Sequence, residues 1–590
     1  MLLKNQHKNS FMSARLKLFI VLFIAGNTLF AQDDKDKKRE IGTEVVNVVK
    51  PYTPSVSDAF KVKQIPSLND SVTTNKKEIK YTIFSVPVAS TFVPAKAKAS
   101  AVKKAEKELL FNTYASVGLG NFSNAVVDFY TSRALARDET LDISLNHHSS
   151  QGGIDGVVLD DNFFNTALEG NYRKKTRLLE WGANAGFKHQ IYNWYGAPVQ
   201  PAFTEAQLDA IDEKQTYYTA FLSADMKLKD SYYKEGGIML ERFWDGSESA
   251  ELRALFTPVF ELPISGELIT TKVTIDYLGG DFEQNYENTG AIDYSNLLLG
   301  ITPSLVVLRD DLTVNLGASI FYAKESDDST IFIYPNVTAS YRLVDEYVIA
   351  FGGIEGKPIQ NSYSSFVSEN PFVSPTLIVK PTDQQYDAYV GVKGKLISNV
   401  GYNVKASYKA ANSQPLFRTN YVNAFSNPDA GYAYGNSFDV VYDNLKTISV
   451  FGELKVDINR DFSFRLQGEI FEYTTDTQPE AWNLPTVRGS LSANYNIGPK
   501  WAAGLNIFYT GKRYDVFTPD PTDTGAPLDP QLITLDSFFD VNAQLTYQFD
   551  KQLSAFLRLN NIGANEYARW AIYPVQGFQV LAGAAYKFDL

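Results

Sequence analysis

Cysteine is absent from the 590-residue sequence, and histidine occurs only four times. A chain without cysteine forms no disulfides and no thiolate metal sites, and it has no thiol nucleophile. Long apolar runs are also missing. The run Leu18–Ala25 is well short of the about 20 apolar residues that a membrane-spanning helix needs, and no later run is long enough. These absences exclude a disulfide-stabilised protein and a helical membrane protein.

The four histidines and the remaining polar residues predict no catalytic centre. His147 and His148 are neighbours in a predicted strand, so their side chains point to opposite faces and cannot share one metal ion. No Ser-His spacing stands out, and no Walker A loop or Rossmann fingerprint occurs. We therefore predict that the chain is not an enzyme and has no catalytic residue, metal or cofactor. Its acidic character argues against a nucleic-acid partner.

Two acidic stretches in predicted outer loops allow two interpretations. Asp160–Asp161 and Glu325–Asp328 have the carboxylates needed to bind Ca²⁺ or to bridge lipopolysaccharide through divalent ions. Solvated loop charge explains the same residues, and it is the more common role of such stretches.

The first 31 residues have the pattern of an export signal. Basic residues precede the apolar run Leu18–Ala25, which is followed by the small residue Ala31 and then by a charged segment. The basic residues are Lys4, Lys8, Arg15 and Lys17. We predict that residues 1–31 are a signal peptide.

Residues 32–110 differ in charge from the rest of the chain. Between residues 33 and 110, fifteen Lys and Arg stand against ten Asp and Glu, a net charge of +5. Because the whole chain carries -12 and the signal region +4, the part after residue 110 carries -21. Several prolines interrupt this basic segment. We predict a mostly extended periplasmic or lumenal leader over residues 32–110.

From residue 111 onward the sequence alternates between apolar and polar residues, the pattern of strands that are buried on one face. In Phe539–Phe549 every second residue is aromatic or aliphatic, and the residues between them are polar. Aliphatic outward residues with aromatics near the strand ends are typical of transmembrane barrels. This pattern predicts that certain charged residues face the lumen: Glu453, Lys455, Arg465, Glu469, Asp540 and Arg558.

Strand length and loop length distinguish this pattern from a soluble β-sandwich. Predicted strands often run to 12–17 residues, whereas soluble strands are usually about 5–6 residues long. Tight turns alternate with long loops, as in outer-membrane barrels. The long loops are Tyr195–Asp212, Gly356–Gln384, Ala411–Leu445 and Phe517–Asp536, and the third includes Ser437–Tyr442.

Counted in this way, residues 111–590 form 22 strands. Outward strands start near residues 112, 139, 176, 231, 264, 311, 346, 399, 461, 501 and 552, and inward strands near 125, 160, 214, 248, 292, 329, 384, 446, 487, 537 and 576. The predicted fold class is all-β, a closed transmembrane antiparallel β-barrel. Closure is required because lipid cannot satisfy the polar groups of an open sheet edge.

A barrel of this size has a wide lumen, and barrels of about 22 strands are normally plugged. We expect the basic leader and the inward-folded long loops, above all Gly356–Gln384 and Ala411–Leu445, to occlude it. The opposite charges of leader and barrel support this expectation.

The C-terminal residues resemble a known family. Gly583, Tyr586 and Phe588 are similar to the signal read by the barrel-assembly machinery, although two residues follow Phe588. The preceding segments resemble the closing strands of TonB-dependent receptors: Phe538–Ala543, Leu559–Ile562, Tyr567, Trp570 and Tyr573. The resemblance implies a 22-stranded outer-membrane barrel. It departs from the family because the leader is too short for the usual folded plug, as in plug-less Bacteroidota barrels.

One leader segment is similar to a TonB box, the short strand that such receptors offer to TonB by β-augmentation. It comprises Glu44, Val45, Val46, Asn47, Val48 and Val49. An ordinary extended apolar patch in a linker explains the same six residues.

The resemblance implies an outer-membrane protein of a Gram-negative cell that takes up a nutrient or chelate. Its expected partners are outer-membrane lipid, the barrel-assembly machinery and TonB. The alternative is a non-transporting scaffold that anchors other envelope proteins. The missing plug favours this alternative, whereas the segment Glu44–Val49 favours uptake.

Overall fold

A computed structural model describes residues 110–196, 203–326, 328–424, 427–518 and 530–590. The described residues form strands and two short helices, α1 (Glu205–Leu208) and α2 (Tyr363–Glu369). Among them, no helix has the length and apolar character to cross a membrane. The signal peptide, the TonB-box residues and the leader as far as residue 109 lie outside the described residues.

The strands are long and follow one another along the chain. The first fourteen are β1 (Thr113–Gly120), β2 (Ala125–Ala136), β3 (Glu139–Ser150), β4 (Phe163–Lys175), β5 (Leu179–Asn193), β6 (Lys214–Leu228), β7 (Tyr233–Asp245), β8 (Ala250–Phe256), β9 (Val259–Ile264), β10 (Glu267–Phe282), β11 (Ile292–Arg309), β12 (Leu312–Glu325), β13 (Asp328–Val344) and β14 (Val348–Ile359).

The remaining strands are β15 (Thr382–Ile397), β16 (Val400–Thr419), β17 (Phe438–Asp457), β18 (Phe462–Thr475), β19 (Val487–Ile497), β20 (Trp501–Thr510), β21 (Arg513–Phe517), β22 (Gln531–Leu535), β23 (Phe538–Gln548), β24 (Leu553–Asn560), β25 (Ala568–Trp570), β26 (Tyr573–Pro574) and β27 (Gln579–Phe588). The pairs β21–β22 and β25–β26 form separate small hairpins.

All other strands form one antiparallel sheet that closes on itself. Its ends meet where β1 pairs with β27, from Thr113 opposite Phe588 to Gly120 opposite Leu581. Strands β8 and β9 both pair with β7 and β10, so they are two halves of one strand interrupted at Pro258. Counted in this way, the sheet is a 22-stranded barrel, and the predicted fold class and strand number are confirmed.

Most predicted strand starts agree with the structure, including those at residues 139, 292 and 501. The prediction that Ser437–Tyr442 belongs to an outer loop was wrong, because β17 begins at Phe438. The first residues of β17 pair with the last residues of a long β16, as far as Thr419 opposite Phe438. Phe438 and Val440 are buried, so packing extends the strand beyond the alternating segment.

The two ends of the barrel differ. At one end, here called the turn end, tight connections join the strands, and several of their residues have positive φ: Asp230 (58°), Asp310 (42°) and Gly498 (65°). Such backbone angles are typical of two-residue hairpin turns. The other end, here called the loop end, has the long connections. Because β1 starts and β27 finishes at the turn end, both termini of the barrel lie there.

The two faces of the barrel wall differ as the alternation predicts. On β23, Phe539 is 54% exposed on the outer face, while its neighbour Asp540 faces inward opposite Phe508 of β20. Strand register places the six predicted lumen residues on the inner face. Lys455, for example, lies opposite Arg465, and Gln467 donates a hydrogen bond to Glu453 at 2.5 Å.

A row of aromatic rings lies on the outer face near the loop end. His189 stacks on Tyr218 at 5.0 Å, and Tyr218 stacks on Trp244 at 5.4 Å. His147 belongs to the same row, with its ring 4.7 Å from Phe164. A second aromatic group, which includes Tyr172 beside Trp181 and Trp501 beside Tyr547, lies toward the turn end. Two such girdles are typical of transmembrane barrels.

Candidate functional site

Five connections at the loop end pack together into one structure, here called the cap. The cap comprises the described residues of segments 194–213, 360–381, 420–437, 511–537 and 561–578. Its centre is a cluster of buried aromatic and aliphatic side chains, among them Trp194, Tyr363, Phe372, Tyr432, Trp570 and Tyr573. These loop residues pack against buried lumen-facing residues of the wall: Tyr217, Phe243, Leu278 and Phe282. Burial of large aromatic rings is the main source of cohesion in such a cluster.

Contacts within the cap cross the lumen. The loops that carry Trp194 and Tyr432 follow the fifth and the fifteenth barrel strand, so they start almost opposite each other in a ring of 22. Their rings meet edge to face with centroids 5.4 Å apart. The side-chain amide of Asn436 also donates a hydrogen bond to the Trp194 carbonyl at 2.9 Å. Loops that meet in this way must extend over the opening of the barrel.

Two further loops join at the centre of the cap. Phe372 and Tyr573 stack with ring centroids 3.8 Å apart, and the Tyr573 hydroxyl donates to the Asn436 carbonyl. The Tyr217 hydroxyl, on the wall, donates to the carbonyl of Pro371 at 2.8 Å. The predicted inward folding of the loops Gly356–Gln384 and Ala411–Leu445 matches this packing.

Two carboxylates of the wall hold helix α2. The carboxylate of Glu251 accepts hydrogen bonds from the backbone N–H groups of Tyr363 at 2.7 Å and Ser364 at 3.3 Å. The Tyr363 hydroxyl donates to Asp245 at 2.7 Å. The first N–H groups of a helix have no partner within the helix and carry a partial positive charge. A carboxylate at this position accepts their hydrogen bonds and interacts favourably with their charge.

Helix α2 also has its own capping box. The Ser362 hydroxyl accepts from the Ser365 N–H at 3.0 Å, and the Ser365 hydroxyl accepts from the Ser362 N–H at the same distance. This local signal is visible in the sequence. The part played by Glu251 is not, because 112 positions separate it from Tyr363.

Within the cap, two buried charged residues hold the hairpin β21–β22 against its neighbours. The Asp515 carboxylate accepts hydrogen bonds from the Thr419 backbone N–H at 3.0 Å and from the Asn483 amide at 2.7 Å. Burial raises the pKa of Asp515 above its usual value, and the hydrogen bonds oppose this rise. Arg513 donates to the carbonyls of Ala568 and Arg569, and burial lowers the pKa of Arg513 to about 10.

Beside the cap, the lumen wall contains a polar cleft of about 290 Å³ near the seam where the barrel closes. Its polar lining includes Asp128, Asn146, Lys188, Gln190, Arg558 and Gln579. The segment 561–578 meets the wall here, because the Gln576 amide donates to the Ser150 hydroxyl at 2.8 Å.

The structure locates the other residues singled out from the sequence. Among the described residues, no group of three acidic or histidine side chains has a geometry that could hold a metal ion. In the predicted acidic patch, Asp161 accepts hydrogen bonds from the backbone N–H groups of Gly153 and Ile154, at 2.9 and 2.8 Å. His147 faces outward in the aromatic girdle, whereas His148 lines the cleft.

The residues that resemble the barrel-assembly signal lie on the closing strand β27. Tyr586 and Phe588 stack on the outer face at 5.7 Å, and Gly583 faces Gly118 across the seam. A Cβ atom at Gly583 would lie 2.3 Å from the Phe556 ring and equally close to the Val117 carbonyl oxygen. Glycine is therefore required for packing at this position, and its part in assembly stays a prediction.

No family profile matches the chain, and no curated protein matches it. Solved structures do. The chain is similar to the siderophore receptor PirA from Acinetobacter baumannii, with a TM-score of 0.59 and 13% identity over 82% of this chain and 81% of that one. It is similar to the ferripyoverdine receptor of the outer membrane of Pseudomonas aeruginosa (TM-score 0.58, 12% identity, 81% and 72%).

A third structure similar to the chain is the ferric-catecholate import receptor Fiu from E. coli K12, with a TM-score of 0.56 and 10% identity over 81% of this chain and 82% of that one. At these identities the likeness concerns the fold. The predicted resemblance to TonB-dependent receptors is confirmed at that level.

Proposed function

We propose that this protein lies in the outer membrane and takes up a nutrient or chelate, because its barrel shares its fold with siderophore receptors. One observation carries the proposal: the loops of the 22-stranded barrel meet above the lumen through contacts such as Trp194 with Tyr432. A barrel closed in this way is not an open diffusion pore. Solute enters only when the cap opens, as expected of a receptor that binds its ligand first.

Opening needs a source of energy, and the leader has a candidate segment for it. Residues Glu44–Val49 offer an apolar strand to TonB on the periplasmic side. We include in the proposal that residues 1–31 are removed on export and that the basic leader 32–110 docks at the acidic barrel. Gly583, Tyr586 and Phe588 are proposed to engage the barrel-assembly machinery.

The test uses a photo-crosslinking amino acid at Val46 in the full-length protein, in energised cells that contain TonB. A TonB adduct is expected from Val46 and not from Val62, a control position in the same leader. The adduct should weaken when the proton gradient is collapsed. Absence of any TonB adduct from Val46 in energised cells would count against energised uptake.

One observation favours the alternative of a non-transporting scaffold. Hydrogen bonds anchor the cap at several points, including Glu251 and Asp515. A transporter must break these contacts each time it opens, whereas a scaffold keeps them permanently. Uptake of iron-55 as a set of ferric catecholates and hydroxamates, compared between cells with and without the protein, separates the two functions. Equal uptake throughout, together with stable co-purifying envelope proteins, would favour the scaffold.

A further inference from the structure

The polar cleft beside the cap contains two cations without counter-ions. Among the described residues, neither Lys188 nor Arg558 forms an ion pair with a carboxylate. Each instead has an aromatic neighbour: Lys188 lies 5.9 Å from the centre of the Phe221 ring, and Arg558 lies 4.8 Å from that of Phe556. Contact with an aromatic face leaves much of the positive charge available to a further partner.

The one carboxylate in the cleft is already occupied. Asp128 accepts hydrogen bonds from the Ser116 hydroxyl at 3.1 Å and from the Asn146 amide at 2.9 Å. Elsewhere on the lumen wall an arginine has a carboxylate partner: Arg253 forms a bidentate salt bridge with Asp276, with hydrogen bonds of 2.7 and 2.9 Å. Two cations against one carboxylate give the cleft a net positive charge on the lumen face of an acidic barrel.

Most of the remaining polar lining consists of amides, with His148 beside them. Gln190 donates to Asn165 at 3.2 Å, and Asn560 donates to Gln579 at 3.3 Å. A primary amide has two donor hydrogens and two acceptor lone pairs, so these contacts leave capacity for hydroxyl groups. Carbohydrate-like solutes present such groups.

We propose that this cleft is a subsite for the anionic group of a small, hydroxyl-rich solute, held by Lys188 and Arg558 while the amides bind its hydroxyls. The inference rests on the proposed uptake function. The cleft lies beside segment 561–578 of the cap, so a solute that enters past this segment would meet it. Carboxylate and phosphate share the required charge and the required acceptor oxygens.

The test measures binding by calorimetry to the full-length protein in detergent micelles. The probes are glucuronate, glucose 6-phosphate and, as the neutral control, glucose. At least one anionic sugar is expected to bind at least tenfold more tightly than glucose. The double variant Lys188→Gln, Arg558→Gln should lose about tenfold or more of that affinity, since two charge-assisted contacts are removed.

The matched control is Lys393→Gln, which removes another lumen-facing lysine that lies over an aromatic ring, 5.6 Å from that of Phe351, but outside the cleft. Its affinity should equal that of the wild type. Heat-modifiable migration on gels checks that each variant folds. Binding of glucuronate alone or of glucose 6-phosphate alone identifies the anionic group.

Equal binding of glucose, no binding of any probe at about 10 mM, or unchanged binding by the double variant would overturn the subsite. The measurement needs neither TonB nor an energised cell. Its failure would therefore leave the crosslinking test of uptake intact, and a failed crosslink would leave the binding result standing.

Discussion

Glu251 is the clearest point at which a single substitution should loosen the cap. Its carboxylate accepts hydrogen bonds from the Tyr294 hydroxyl at 2.7 Å and from the backbone N–H groups of Tyr363 and Ser364. The substitution Glu251→Ala leaves the N–H groups at the start of α2 without an acceptor. Each buried donor left unpaired costs about 1–3 kcal/mol.

Loss of the favourable interaction between the carboxylate and the helix dipole adds roughly 0.5–1 kcal/mol. The Tyr294 hydroxyl can turn to another acceptor, so the loss of its hydrogen bond adds little. We therefore expect Glu251→Ala to destabilise the closed cap by about 3 kcal/mol. By the usual conversion, this increases the population of the open cap roughly 100-fold. The strands of the wall keep their own hydrogen bonds, so the barrel should stay folded.

The assay is hydrogen–deuterium exchange of the full-length protein in detergent. Peptides that contain Tyr363 and Ser364 should exchange roughly 100-fold faster in Glu251→Ala, while peptides from β10 and β11 should not change. Glu241→Ala is the control, because Glu241 lies on the same face of the wall opposite Arg253 and makes no hydrogen bond to the described cap residues. Unchanged exchange at α2, or an equal effect of Glu241→Ala, would refute this account.

Four further predictions address other parts of the molecule. Trp194→Ala should raise single-channel conductance, because it removes a contact across the lumen worth about 3 kcal/mol; unchanged conductance would contradict it. Gly583→Val should lower the temperature at which the barrel unfolds on gels, because its Cβ would lie 2.3 Å from the carbonyl oxygen of the neighbouring strand. Gly170→Val, with open space around its Cβ, should have a much smaller effect. Because the folded-state pKa of Asp515 is raised, folding favours its protonated form. Its contribution to stability is therefore lost as the pH rises above the unfolded value of about 3.9. Between pH 4 and pH 6, the cap of Asp515→Asn should accordingly lose less protection from proteolysis than the wild-type cap. Equal loss of protection in the two proteins would refute the predicted direction of the pH effect. Deletion of residues 33–105 should increase conductance if the leader fills the lumen, and a barrel that stays closed without them would exclude that role.

The local pattern of the sequence was sufficient for the wall of the barrel. In Phe539–Phe549 the alternation assigns each residue to lipid or to the lumen, and the register of β23 agrees. The prediction succeeded because residues two apart on a strand lie on the same face and therefore meet the same surroundings, either lipid or the lumen. It was wrong at Ser437–Tyr442, where the strand continues because the cap buries Phe438.

The cap could be predicted only in part. Long loops over a wide lumen predicted inward folding, and Ser362 with Ser365 has the form of a helix start. Neither feature predicts which wall residue receives the helix. A buried carboxylate such as Glu251 resembles any other lumen acid until the loop packs against it.

The sequence by itself determined the class of protein, the number of strands and the face of each residue, because those depend on near neighbours and on the solvent that each face meets. Only the tertiary structure decided which residues join the loops into the cap and that Lys188 and Arg558 line one cleft. The cap and the cleft depend on contacts between residues far apart in the chain, such as Asn436 and Trp194, which are separated by 242 positions. Closure of the sheet brings such residues together, and no local pattern records which of them will meet.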